Sequence, residues 1–517
     1  MFLLLTLVLP VLGFLACITA LRRSPQTAYI AALITSGVAF LSSLAMIPSI
    51  AQNPSRLSQA IDVNWIPYPP IHFSIGVDGL SIWLIAATTL LSLIAILSST
   101  AYLKSEKQSH NAGTFFGWLL LLEAGIIGVF AAQDLFLFYV FFELTLLPCL
   151  FLMGQWGKNS GGATSTGATV KFFIYTFGAS ILMLAAIIYL FLKSGTFDFQ
   201  NIMAQMAAGS FRLSAAEQMP LFLAFFLAFA VKTPLFPFHA WQADAYATAP
   251  SPLAVIMAGL MGKLGTYGLL RFCLPLFPSA ARECAYWING LAILAILYGA
   301  LVAIVQPNLK RLLAFSSLSH LGFIVLGIFS FHQNGLDGAA YQMVGHAITT
   351  GALFLMAGYL EERRGSIEIA DFGGLASRTP WLATTFLIAV LASSGLPSLN
   401  NFVGEYLILQ GAAFSGFAYA AAAAIGVILS SVYLLWMYQR TFMGPVPADV
   451  TKDLSNQETL AITPLVLLMI AMGVLSNSFL ALQTPANAKI LQQTKMNVEF
   501  RVQSGEQASA AEVVNGD

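Results

Sequence analysis

Tyr139-Val140-Phe141-Phe142-Glu143-Leu144-Thr145-Leu146-Leu147 sets one carboxylate in the middle of a run too apolar to lie in water. A charge at membrane depth costs roughly 2.5–3.5 kcal/mol on insertion scales, so it needs a partner, a water-filled cavity or a shifted protonation equilibrium. The pattern recurs. Lys232, Lys263, His320, His346 and Glu405 each stand inside an apolar stretch of helical length. Acids, lysines and imidazoles at that depth along one chain are what a path for protons requires.

Composition agrees. Of 517 residues, 58% are hydrophobic and 9% charged, whereas a soluble domain carries about 25% charged residues. The expected fold class is all-α, a polytopic membrane protein embedded in a lipid bilayer. The 23 basic and 23 acidic residues cancel, which argues against nucleic acid as a partner. The segment before Arg22-Arg23 lacks a basic leader and reads as a retained first helix. Cys17, Cys149, Cys273 and Cys284 form no Cys-x-x-Cys pair, and there is no glycine-rich phosphate loop or dinucleotide fingerprint. The expectation is that this chain holds no metal or other cofactor, and that redox or nucleotide chemistry belongs to other chains.

Apolar runs long enough to cross about 30 Å of hydrocarbon occur fourteen times. They lie at about 2–21, 28–49, 79–103, 114–132, 134–153, 169–192, 219–238, 251–273, 286–306, 312–331, 339–360, 380–410, 417–442 and 460–482. The tail after about 485 is polar and expected to be weakly ordered. With adjoining helix ends, one set of loops holds thirteen Lys or Arg, including Arg22, Arg23, Lys310, Arg311, Arg363 and Arg364. The opposite loops hold five: Arg56, Lys193, Arg212, Arg271 and Arg282. By the positive-inside rule the first set is cytoplasmic and both termini lie outside. Lys489, Lys495 and Arg501 weaken that bias without reversing it.

Two spans are interrupted, by Lys232-Thr233-Pro234-Leu235-Phe236-Pro237 in helix 7 and by Ser393-Ser394-Gly395-Leu396-Pro397-Ser398 in helix 12. Irregular backbone at membrane depth survives only where it faces protein or water, and paired breaks point to a transport site. Helices 4–8 and 9–13 each contain a break at their fourth member. Five is an odd number, so tandem units of this kind have inverted topology. The expected division is 1–112 for helices 1–3, 113–273 and 274–445 for the two repeats, and 446–517 for helix 14 and the tail.

Glu143 and Lys232, if they meet, attract by roughly 4 kcal/mol at 4 Å and an effective dielectric of about 20. Such a pair acts as a switch on the lysine proton, or else as a static tie between helices. Lys263 is too deep to reach either surface easily and is a carrier or a packed charge. His320 and His346 are relays or satisfied core histidines. Glu405 follows the second break and is a hand-over carboxylate or a tie across the broken backbone. Glu123 either extends the network or bonds a neighbouring helix. For Asp78, Asp134, His239 and Asp244, near helix ends or breaks, capping or interfacial hydrogen bonding is the default.

Four stretches resemble the antiporter-like membrane subunits of NADH–quinone oxidoreductase, complex I. They are Phe138 to Glu143, Phe229-Ala230-Val231-Lys232-Thr233-Pro234, Lys310 to Phe323 with Ser319-His320, and Asn401-Phe402-Val403-Gly404-Glu405. The resemblance spans about residues 70–480 and is similar above all to the M-type chains, the D-type of photosynthetic complexes. It implies fourteen helices, inverted repeats, and a proton path through Glu143, Lys232, Lys263, His320 and Glu405, with His346 on the same axis. Sister chains typically carry lysine where Glu405 stands. Implied partners are other membrane subunits of that complex, including neighbouring antiporter-like chains. The implied place is the bacterial plasma membrane, or alternatively the thylakoid, with termini periplasmic or lumenal. One departure stands out. Relatives read Leu-Pro-Asp-Ala-His after the first break, whereas this chain has Gln242-Ala243-Asp244-Ala245-Tyr246. Tyrosine cannot carry a proton as imidazole does near neutrality. A subunit of a multi-chain sodium–proton antiporter or of a membrane-bound hydrogenase is the alternative.

Overall fold

A computed structural model describes residues 1–22, 24–100, 111–445 and 452–514, with side chains to residue 495. Arg23, the end of the third expected span and the terminal Asp517 lie outside the described residues. Eleven of the described helices are long and apolar enough to cross a membrane, so the chain is an integral membrane protein. The helices are α1 (Phe2–Ile18), α2 (Pro25–Ala51), α3 (Ser81–Leu97), α4 (Ala112–Ala131), α5 (Leu135–Trp156), α6 (Ser165–Ser194) and α7 (Ala215–Lys232). They continue as α8 (Ser251–Leu276), α9 (Pro278–Ile304), α10 (Leu309–Ile328), α11 (Gln333–Arg364), α12 (Pro380–Ser393), α13 (Phe417–Phe442) and α14 (Asn456–Val474). The shorter apolar members α1, α3 and α12 stand where the sequence predicts spans.

Local chemistry sets several boundaries. Ser214 with Glu217, and Ser455 with Glu458, form capping boxes that open α7 and α14. The Asn308 side chain accepts from the Arg311 amide and starts α10. Gly195 (φ 75°) and Gly365 (φ 71°) close α6 and α11 in the left-handed region that favours glycine. The two breaks fall where expected. α7 stops at Lys232 and helical structure returns at Gln242–Thr248. α12 stops at Ser393 and a second segment runs Asn400–Ser415.

Burial is graded. The most apolar stretches of α8 and α11 are 100% buried and that of α10 is 94% buried, against 28% for α14 and 33% for α2 and α13. α8, α10 and α11 therefore form a central row, and the peripheral helices turn an apolar face outward toward lipid or other chains. Lys263, His320 and His346 all lie on that row.

The helical reading holds, with one addition: residues 58–77 form an antiparallel hairpin, β1 (Ser58–Ile66) and β2 (Ile71–Val77). One expectation needs correction. The start of the tail is packed, with Ala486, Asn487 and Thr494 buried. A helix, α15 (Ser476–Val514), continues through it. Its polar residues face a buried carboxylate: Thr484 Oγ1 and Asn487 Nδ2 donate to Asp337 of α11 at 3.1 and 2.8 Å. Composition alone reads such residues as solvated, yet here they satisfy polar groups of the neighbouring helix.

Candidate functional site

α8 is irregular on either side of its lysine. π-helical turns occupy Met257–Met261 and Leu269–Cys273, the kind of bulge that often marks functional positions. Between them Lys263 is fully buried. Its Nζ donates to the Ala258 carbonyl at 3.2 Å and lies 2.7 Å from Nδ1 of His346 on α11. The His346 ring is 5.3 Å, centroid to centroid, from that of His320 on α10. His320 Nδ1 is 3.1 Å from Oε1 of Glu405, a close electrostatic contact whose angle falls short of a hydrogen bond. Its Nε2 is 3.3 Å from the Ser393 hydroxyl at the end of α12. Gln342 Nε2 donates to Glu405 Oε1 at 3.3 Å. Lys263, His346, His320 and Glu405 thus follow one another as a buried series from α8 to the second half of helix 12, with the two rings 5.3 Å apart.

Glu143 and Lys232 are arranged differently. They interact electrostatically, but among the described residues they form no ion pair within 4.0 Å. Lys232 Nζ donates to Thr145 Oγ1 at 3.1 Å and stands 4.7 Å from the centroid of the Phe142 ring. The Ser180 hydroxyl of α6 donates to the Phe177 carbonyl at 2.9 Å. The lysine thus holds a neutral hydroxyl instead of the carboxylate. Thr145 is not singled out by sequence, since hydroxyls are common in these helices.

Glu123 stays apart from this line. One oxygen accepts from Ser36 of α2 at 3.1 Å, and the other has no protein partner. Its interaction is thus with a neighbouring helix. Asp134 caps α5 through the Phe136 and Leu137 amides and also accepts from the His72 amide of the hairpin. Asp78 accepts from the Leu80 and Ser81 amides and pairs with Arg271 at 2.7 Å. Arg271, counted with the loops by sequence, is 6% exposed inside the second π-turn of α8. His239 stacks on Phe236 within the first break.

Asp244 is an ionic hub, 2.8 Å from Lys171 and 2.7 Å from Arg311. Beside it Lys310, 1% exposed, pairs with Glu361 at 2.5 Å. Sequence reasoning placed Lys310 and Arg311 in a solvated loop. The overlooked signal is helix polarity: two cations in the first turn of α10 oppose the dipole and so need carboxylates near. Tyr246 donates to the Met257 carbonyl at 3.1 Å and ties the broken helix to the first π-turn of α8.

Several buried polar atoms near the line have no hydrogen-bond partner among the described residues: His346 Nε2, Gln342 Oε1, Ser317 Oγ and both side-chain ends of Asn401. Buried groups of this kind are ordinarily satisfied by ordered water. Among the described residues no cluster of His, Cys, Asp and Glu has the arrangement of a metal site.

The chain is similar to known proteins over nearly its whole length. A family model described as NADH:quinone oxidoreductase/Mrp antiporter, transmembrane, matches residues 132–431. NADH-quinone oxidoreductase subunit M of Rickettsia prowazekii is 38% identical over 462 residues, 89% of this chain and 91% of that protein. NADH-ubiquinone oxidoreductase chain 4 of Marchantia polymorpha is 35% identical over 494 residues, covering 95% and 97%. A chain of respiratory complex I from Thermus thermophilus superposes with a TM-score of 0.85 at 34% identity, covering 96% of this chain and 100% of that one. A chain of the Mrp complex from a Dietzia species shares the fold, with a TM-score of 0.81 at 21% identity and coverage of 96% and 98%. With these matches and the buried line of ionisable groups, the chain belongs to the family of antiporter-like membrane subunits of NADH:quinone oxidoreductase, alongside its M-type members.

Proposed function

We propose that this chain is a proton-translocating M-type subunit of an NADH–quinone oxidoreductase, driven by electron transfer in other subunits and holding no cofactor of its own. The observation that carries this is the buried series Lys263–His346–His320–Glu405, with 2.7 Å at one end, 3.1 Å at the other and 5.3 Å between the two ring centroids. Each member can gain and lose a proton, and the hydration expected around Asn401 and Gln342 extends the line. Glu143 and Lys232 form the gate. When they approach, the carboxylate keeps the ammonium charged. When they part, desolvation favours the neutral amine and releases its proton toward α8. The separated arrangement, with Thr145 as the lysine's interim partner, is one side of that switch. Helices 4–8 and 9–13 are the two inverted units, residues 113–273 and 274–445, each carrying one break. The kinship to M-type chains favours a respiratory complex, with neighbouring antiporter-like chains against the exposed apolar faces.

Replacing Glu143 by Gln tests the gate. Assembly on native gels should be unchanged, while NADH-driven proton uptake in vesicles should fall by about tenfold or more, with a smaller loss for Glu143→Asp. Uptake at the normal rate in an assembled Glu143→Gln complex would reduce the pair to packing.

The bias of basic residues places the C-terminus on the periplasmic face of a bacterial plasma membrane, or the lumenal face of a thylakoid. A reporter peptide fused after Asp517 should react with an impermeant label added to that side of sealed vesicles. Labelling from the cytoplasmic side alone would overturn the orientation.

A further inference from the structure

The break in helix 12 brings its backbone directly under the Glu405 carboxylate. Gly395 has φ +73°, in the left-handed region. A Cβ at this position would stand 2.6 Å from Oε2 of Glu405, closer than real Cβ atoms come to any neighbour, with Val427 Cγ1 at 3.8 Å. The other oxygen, Oε1, faces His320 Nδ1 at 3.1 Å and accepts from Gln342 at 3.3 Å. The carboxylate is planar, so Oε2 cannot be pushed without moving Oε1. Glu405 is 3% exposed, so a displaced carboxylate would have to find room inside the protein.

Glycine is thus required at 395 for two separable reasons, backbone angle and empty space. We propose that the second is functional: Gly395 is a positioning residue that seats the Glu405 carboxylate against His320. The missing side chain sets the distance across which the two exchange a proton. This rests on the reading of Glu405 as part of the proton path.

The two reasons respond to different substitutions. Asparagine tolerates left-handed angles far better than alanine but brings the same Cβ. In the assembled complex, Gly395→Ala and Gly395→Asn should both lower NADH-driven proton uptake by about tenfold, since a misplacement on the order of 1 Å costs that much or more in a positioned reaction. Combining Gly395→Ala with Glu405→Asp withdraws the carboxylate by about one bond length of 1.5 Å, which relieves the contact with the new Cβ but also draws the carboxylate away from His320, so it should restore assembly and not uptake. Normal uptake by Gly395→Asn would overturn the proposal and leave glycine serving only its backbone angle. If Gly395→Ala fails to assemble, the double variant decides. Recovery of assembly supports the steric account, and continued failure overturns it. Glu405→Gln measured alongside separates the two claims. If it pumps normally, the path reading fails. If it stalls while Gly395→Asn pumps, only the positioning role fails.

Discussion

Glu405→Gln should lower NADH-driven proton uptake and quinone reduction together, each by about tenfold or more, with the complex still assembled. A positioned general acid or base contributes about 10²–10⁴-fold to a proton-transfer step, and tight coupling spreads the loss to electron transfer. Glutamine keeps the shape of the side chain and an oxygen for the Gln342 amide, which now lies 3.3 Å from Oε1. It cannot take a proton from His320, whose Nδ1 is 3.1 Å away. Glu405→Lys should not restore activity, because an ammonium there would oppose a protonated His320. The measurement is proton uptake in proteoliposomes, with assembly checked on native gels. Full uptake by Glu405→Gln would remove this residue from the path.

Lys263 carries the second large effect. Lys263→Met retains the length and apolar stem but deletes the amine that lies 2.7 Å from His346 Nδ1. Uptake should drop by about tenfold or more. Lys263→Arg is the sharper probe. Arginine preserves the positive charge but does not deprotonate in proteins. If the amine must release its proton to His346, arginine should fail nearly as badly as methionine. An arginine variant pumping at the normal rate would show that only fixed charge is needed at this site.

The helices and their breaks were legible because the bilayer is an exacting solvent. It demands long apolar runs, and it makes Glu143 or Lys263 conspicuous by cost alone. What could not be read was pairing. Lys263 and His346 are 83 positions apart, and their contact depends on how α8 packs on α11. Glu143 and Lys232 were expected as a possible pair, and the lysine instead holds the Thr145 hydroxyl. Arg271 and Lys310 were misassigned for a related reason. A basic residue near a span end reads as solvated, yet Asp78 and Glu361 allow each to remain inside the protein. The polar tail misled in the same way. Thr484 and Asn487 are partners for Asp337, a carboxylate whose burial the local sequence does not announce.

The Met257–Met261 turn of α8 contains more backbone than an ordinary turn, and Lys263 stands just after it. A π-turn delays the helix by one residue, about 100° of rotation, without altering which residues are apolar. The aim of the Lys263 amine at His346 is therefore written in chain length and not in residue type. Shortening the turn by a single alanine or glycine would leave hydropathy and every ionisable group intact, yet the amine would face a different helix. Catalogues of substitutions do not sample that dimension. In this chain spacing is a coding variable in its own right.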